Sequence, residues 1–187
     1  MTNYPIYTLE SAPEASHSAL QQLNAEVGFL PNLAACMADS PAMISGFTAL
    51  RSAYALSTLS PLERELVLLA AAQAYANVYG VAVHSTMASR MGASSEVVEA
   101  VRSGVSVPDA RVDALVRLAK SGARGVPPSI NDLEIASTLG VRNREVLDIM
   151  TGTVIGKLAA AMFTLAPDTP LDPPFQAHAW REPVTAD

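Results

Sequence analysis

The chain has 187 residues, half of them hydrophobic but only 5% aromatic and 16% charged, with a formal charge of -6. That much apolar surface excludes a disordered chain, and twelve scattered basic residues against eighteen acidic ones exclude nucleic acid as a partner, because phosphate binding needs clustered Lys and Arg. The one cysteine, Cys36, cannot close an intramolecular disulfide, form a CxxC redox pair or build a structural zinc site.

Much of the apolar content is alanine, the best helix former, and small side chains let helices approach closely. The elements follow from cap and stop signals. Ser11-Ala12-Pro13-Glu14 has capping-box spacing and Gly28 ends the apolar run, which predicts a helix over 12–27. Pro31 starts a short helix containing Cys36, and Ser40-Pro41 opens one carrying Met43, Phe47, Leu50 and Tyr54. Ser60-Pro61-Leu62-Glu63 is the strongest start signal in the chain and predicts a helix to about Val78. Gly80 is expected to break it, with a second helix running to Met91 before Gly92. Ser94 or Ser95 caps a helix ending at Gly104, Pro108-Asp109 starts one ending near Ser121, and Ser129 with Asp132 starts one ending at Gly140. Asn143 is expected to cap a closing helix over 144–165, in which Gly152, Gly156 and Ala160 suit close helix packing.

No run alternates apolar and polar residues like a strand, so the fold class is all-α, with about nine helices. The proline-rich tail, 167–187, should be extended, with Phe175 and Trp180 able to anchor it on a partner surface. The first residues lack a positive segment followed by an apolar core, so a cytoplasmic location is expected. The apolar stretch 66–83 is alanine-rich and interrupted by Gln73 and Asn77, which speaks against a membrane span. His17, His84 and His178 lie in distant segments without metal-ligand spacing, so neither a metal nor another cofactor is expected. Gly122-Ala-Arg-Gly125 precedes two prolines and reads as a linker, not a phosphate cradle.

The helical pair from Ser60 to Gly92 carries the chemistry. At about 100° per residue, Leu62, Leu66, Leu69, Gln73 and Ala76 form one stripe of the first helix, with Glu65 and Asn77 at its margins. On the second helix His84 shares an apolar face with Gly80, Val81, Met87, Ala88 and Met91. A carboxylate and an imidazole on inward faces are the pairing in which Glu and His transfer protons; a core histidine and a helix-start glutamate are the plainer alternative.

The run Leu59-Ser-Pro-Leu-Glu63-Arg-Glu65-Leu-Val-Leu-Leu-Ala70, continuing to Tyr79-Gly-Val-Ala-Val-His84-Ser85, resembles the core of the carboxymuconolactone decarboxylase and AhpD-like alkylhydroperoxidase family. Gly28-Phe-Leu-Pro-Asn32-Leu, Asp39-Ser-Pro41 and the segment from Leu171-Asp-Pro-Pro-Phe175 to Trp180 resemble its longer, peroxidase-related branch. The resemblance implies one AhpD-like domain over 1–187, a homo-oligomer (dimer, trimer or hexamer) and a site between helices near a subunit interface. Redox members carry a Glu, a CxxC pair and a His. Glu65 and His84 match the first and last, but Asn77 and Gly80 stand where the cysteines belong. Neither residue can attack a peroxide or close a disulfide.

The resemblance to the decarboxylase branch, which works without cysteines, implies a cofactor-free acid/base enzyme, of decarboxylase, lyase or isomerase type, on a small carbonyl or carboxylate compound. His84 and Glu65 would be catalytic, with Asn77, Tyr79 and Gly80 binding substrate and Arg51, Arg64 or Arg90 as carboxylate partners. Lys157 is a candidate for an arginine charge that related closing helices carry. Two alternatives stand beside this. One is a degenerate member that acts as a binding or structural oligomer, and the other is residual hydroperoxide reduction through Cys36.

Overall fold

The computed structural model describes residues 4–181, which contain nine α-helices, two short 3-10 helices and no strand. The expectations for residues 1–3 and for 182–187 of the tail lie outside the described residues. The α-helices are α1 (His17–Val27), α2 (Asn32–Met37), α3 (Pro41–Tyr54), α4 (Pro61–Ala74), α5 (Val78–Arg90), α6 (Ser95–Ser103), α7 (Ala110–Arg124), α8 (Ile130–Thr138) and α9 (Asn143–Leu165). The 3-10 helices are Glu14–Ser16 and Pro173–His178.

Side-chain caps set most of the starts. Ser40, Ser60, Ser94, Asp109 and Ser129 each accept the backbone N–H three residues on, satisfying one of the donors a helix start leaves orphaned. Three starts differ from the sequence reading. Ser11 accepts the N–H of Thr8 instead of capping, so α1 begins only after the turn Glu14–Ser16. Asn143 lies inside α9, whose start is held by Glu145 accepting the N–H of Arg142 at 2.9 Å. Asn77, not Gly80, separates α4 from α5: α4 stops at Ala74, Ala76 takes the left-handed conformation at φ 52°, and Asn77 caps α5 by accepting the Gly80 N–H at 3.0 Å. Gly80 is therefore within the first turn of α5. A Cβ there would lie 2.8 Å from the Asn77 amide and 3.1 Å from Ala72, so the glycine serves close approach and not a break.

The left-handed conformation costs an L residue about 1–2 kcal/mol, while glycine adds about 0.4–1 kcal/mol of unfolded-chain entropy. Ala76→Gly should therefore stabilise the protein by about 0.5 kcal/mol in urea unfolding. A loss of stability would show that the Ala76 methyl contributes more in packing than the turn costs.

α4 is the central helix. Leu66 to Ala72 are buried without interruption, as a helix covered on all sides requires, and α5, α6, α7 and α9 pack around it. α9 reaches α4 through its small residues. A Cβ on Gly152 would lie 2.8 Å from the Tyr54 hydroxyl and 2.9 Å from Val67, and one on Gly156 would lie 3.1 Å from the Ala71 methyl. By length and composition α9 is apolar enough to cross a membrane, with a window of mean hydropathy 1.5; its buried face packs on α3, α4 and α7.

One guanidinium joins two helix starts. Arg111 of α7 donates from Nε to Glu63 at 2.8 Å and from Nη2 to Glu145 at 2.5 Å, and each glutamate also accepts a backbone N–H at its own helix start, from Ser60 and Arg142. Burial raises the Glu63 carboxyl, but the Ser60 and Arg111 hydrogen bonds outweigh it and hold the group below its ordinary value. A depressed carboxyl contributes stability that is present above its unfolded value of about 4.3 and is lost as pH falls through the lower folded value. Arg111→Met should cost about 2 kcal/mol near neutrality by leaving two carboxylates without their partner, somewhat less than for a fully buried pair. In urea melts across pH, the gap between wild type and variant should narrow below about pH 4. A gap independent of pH would assign the loss to packing.

The segment after α9 is not an extended tail over its described length. Pro173–His178 forms a 3-10 helix on α5, Phe175 is 1% exposed, and Trp180 packs against the core. Phe175 lies 5.6 Å from the ring of Phe29 and 6.5 Å from that of Tyr79, so its anchor is this chain's own interior and not a partner. Arg102 fixes the end of this segment, a strap over residues 171–180, by donating to the carbonyls of His178 at 3.0 Å and Ala179 at 3.3 Å.

Candidate active site

The turn at Ala76 folds α5 back on α4 and brings Glu65 against His84. His84 Nδ1 lies 2.8 Å from Glu65 Oε2, with both side chains largely buried, at 14% and 17% exposure. A carboxylate oxygen accepts, so Nδ1–H is the donor of this bond and Nε2 is the ring nitrogen left outside it. Among the described residues Nε2 makes no hydrogen bond.

The pair borders a cavity of about 100 Å³. Its walls come from α1, α2, α3, α4, α5, α9 and the strap, and apolar side chains such as Leu23, Phe47, Val83, Met87 and Phe175 dominate them. The polar groups are few: Glu65, His84, Arg51 and Tyr79. An apolar pocket with a small number of convergent polar groups is the usual form of a small-molecule site.

The other candidates divide. Gly80 and Tyr79 line the cavity. Tyr79 is 5% exposed and donates its hydroxyl to Asp172, while the same oxygen accepts the Leu33 N–H at 3.4 Å. Burial, then the Asp172 carboxylate, pushes that phenol well above its ordinary value, so it stays protonated. Asn77 does not line the cavity; it is 1% exposed and its side chain is committed to capping α5, which corrects the expectation that it contacts substrate. Arg64 donates to the carbonyls of Ala55 and Leu59, Arg90 is exposed at the end of α5, and Lys157 stands 5.0 Å over the ring of Tyr75. Only Arg51 of the three arginines borders the cavity.

Cys36 is not brought to the pair. It is 1% exposed, its nearest polar atoms, the Tyr4 carbonyl and the Thr169 hydroxyl, are both 3.9 Å away, and it borders a separate cavity with Pro167 and Thr169. Burial pushes its thiol up, which disfavours the thiolate that peroxide attack requires. Among the described residues no three His, Cys, Asp or Glu side chains are grouped to hold a metal, and the His17 ring is engaged with the Ala12 carbonyl at 2.9 Å.

Sequence reasoning missed two contributors. Asp172 is 4% exposed and accepts both the Tyr79 hydroxyl and the backbone N–H of Asn32, so it ties the strap to the start of α2 and to the cavity wall. Phe175 closes that wall. The sequence marks Phe175 as an apolar anchor in an otherwise extended tail, but where the segment docks is set by contacts far apart in the chain.

Residues 41–121 match the model of the carboxymuconolactone decarboxylase family. No curated protein matches the sequence. Among solved structures, an AhpD-core, peroxidase-related protein from Ralstonia eutropha JMP134 superposes with a TM-score of 0.79 at 22% identity, covering 95% of this chain and 96% of that one. A peroxidase-related protein from Silicibacter sp. TM1040 gives 0.74 at 18% identity, over 96% and 95%. A cysteine-to-alanine variant of the debrominase Bmp8 in complex with 2,3,4-tribromopyrrole gives 0.78 at 15% identity, over 95% and 96%. The chain therefore has an AhpD-like all-helical fold in which α3 to α7 match the carboxymuconolactone decarboxylase family model, and it carries a single cysteine and no CxxC pair.

Proposed function

We propose that the protein is a cofactor-free acid/base enzyme, of decarboxylase, lyase or isomerase type, acting on a small, largely apolar carbonyl or carboxylate compound. The observation that supports this most is the Glu65–His84 hydrogen bond beside a cavity: Nδ1 is occupied, so Nε2 is the ring nitrogen left to meet a ligand. In this reading Nε2 takes a proton from carbon next to a carbonyl and returns it to the adjacent position, while Glu65 fixes the tautomer and stabilises the imidazolium formed between the two steps. Apolar walls exclude water and strengthen both interactions.

The volume is somewhat below the roughly 150 Å³ of a cavity known to admit benzene, which suits a five-membered ring or a short-chain acid. The complex of Bmp8, a protein of the same fold, with a substituted pyrrole is in keeping with a small ring ligand. The test is a screen of small lactones and β-keto acids followed by ultraviolet absorbance and proton NMR, with His84→Ala as the control. Turnover that depends on His84 supports the reading, and turnover that survives the substitution overturns it.

A further inference from the structure

Five N–H donors make an arginine hard to leave without acceptors, particularly where its surroundings are partly dry. The other partly buried arginines obey this rule: Arg64 donates to two carbonyls, Arg102 donates to two carbonyls and forms an ion pair with Glu99, and Arg111 donates to two carboxylates and a carbonyl. Arg51 is different. Its side chain is 28% exposed, its Nε is buried without a hydrogen bond, and none of its nitrogens hydrogen-bonds among the described residues. The nearest carboxylate, Glu26, is 3.9 Å from Nε, beyond hydrogen-bond range, and already accepts from Gln22 at 2.9 Å.

The guanidinium is nevertheless held in place. Its Cζ stands 5.8 Å over the ring of Phe47, a cavity-wall residue one helical turn earlier on α3. No ion pair joins it to Glu65, whose Oε2 is engaged by His84. A fixed, half-dry guanidinium that makes no hydrogen bond among the described residues, with only the loose ion pair to Glu26 at 3.9 Å, thus borders the same apolar cavity as the imidazole.

We propose that Arg51 is the anion-recognition residue of this cavity and that the ligand is a small apolar carboxylate, its carboxylate bridged by the guanidinium and its carbon skeleton lying toward His84. This deepens the function proposed above by naming the substrate class. Arginine is suited to the task because its fork accepts both carboxylate oxygens at once, and a charge-assisted pair in a low-dielectric pocket is stronger than one in water. The apolar walls select against large or polyanionic molecules, since they offer no second cation beside Arg51.

The test is a binding measurement and does not require turnover. Full-length wild-type protein, Arg51→Gln, Arg51→Lys and His84→Ala would be titrated with 2-furoate and with its neutral isostere furan-2-carboxamide, by calorimetry and by the histidine ring signals in NMR. Circular dichroism melts would confirm that each variant is folded. Wild type should bind furoate and shift the His84 ring signals, Arg51→Gln should weaken furoate about tenfold or more while leaving the amide unchanged, and Arg51→Lys should retain part of the affinity. Equal furoate affinity in wild type and Arg51→Gln, equal losses for furoate and amide, or no furoate binding by wild type at millimolar concentration would each overturn the proposal. Arginine-dependent binding by a protein that turns over none of the screened acids would sustain this assignment while the acid/base reading failed, so the two fail separately.

Discussion

Replacing His84 by alanine is expected to lower turnover of any substrate found by about 10²–10⁴-fold, the usual contribution of a positioned proton-transfer group. Glu65→Gln should fall by about 10²-fold or more, although the amide is the same shape. An amide can donate to Nδ1 as well as accept from it, so it no longer forces the tautomer that leaves Nε2 free. It also withdraws the negative charge facing the imidazolium. Measured kcat and KM distinguish the possibilities: both variants should lose kcat, since the proton moves in the transition state and not in binding. If Glu65→Gln keeps its kcat while His84→Ala loses it, Glu65 holds the helices together and does not set the tautomer.

Phe175→Ala should be the most destabilising single change in the strap. A side chain this large and this buried costs about 3 kcal/mol or more when truncated, and in a domain of this size that corresponds to a loss of about 6–12 °C in Tm. The substitution also removes one wall of the cavity and the aromatic contacts to Phe29 and Tyr79. Trp180 is the only tryptophan and packs on the core beside the strap, so its emission reports the strap directly. A red shift in folded Phe175→Ala would show that the strap has lifted. Lost stability with unchanged emission would mean that the Arg102 and Asp172 hydrogen bonds hold the segment without the ring.

How much was legible beforehand depended on the range of the interaction. Caps act within three residues, and Ser40, Ser60, Ser94, Asp109 and Ser129 all cap the helices their spacing indicated. The start at Ser11 did not materialise because its hydroxyl found a nearer donor, the N–H of Thr8, which no helical pattern reveals. The break between α4 and α5 was misplaced because glycine is the usual residue for it. Here Ala76 takes the left-handed turn, and Gly80 is small so that Asn77 and Ala72 can approach. Periodicity put Glu65 and His84 on inward faces, but their hydrogen bond depends on the angle that this turn imposes. The roles of Asp172 and Phe175 arise wholly from contacts across the chain, and Arg51 stood among three equivalent arginines until the fold placed one of them at the cavity.

The strap also gives the site an order of assembly. The helices that bring Glu65 to His84 all precede it in the chain, whereas Asp172 and Phe175 come after every α-helix. Synthesis proceeds from the N-terminus, so Glu65 and His84 can meet while one side of their chamber is still open to water. A chain clipped just before Asp172 would retain every α-helix that positions the pair and none of the strap residues that shelter it. The chamber around Glu65 and His84 is thus closed only by a segment that follows every α-helix in the chain.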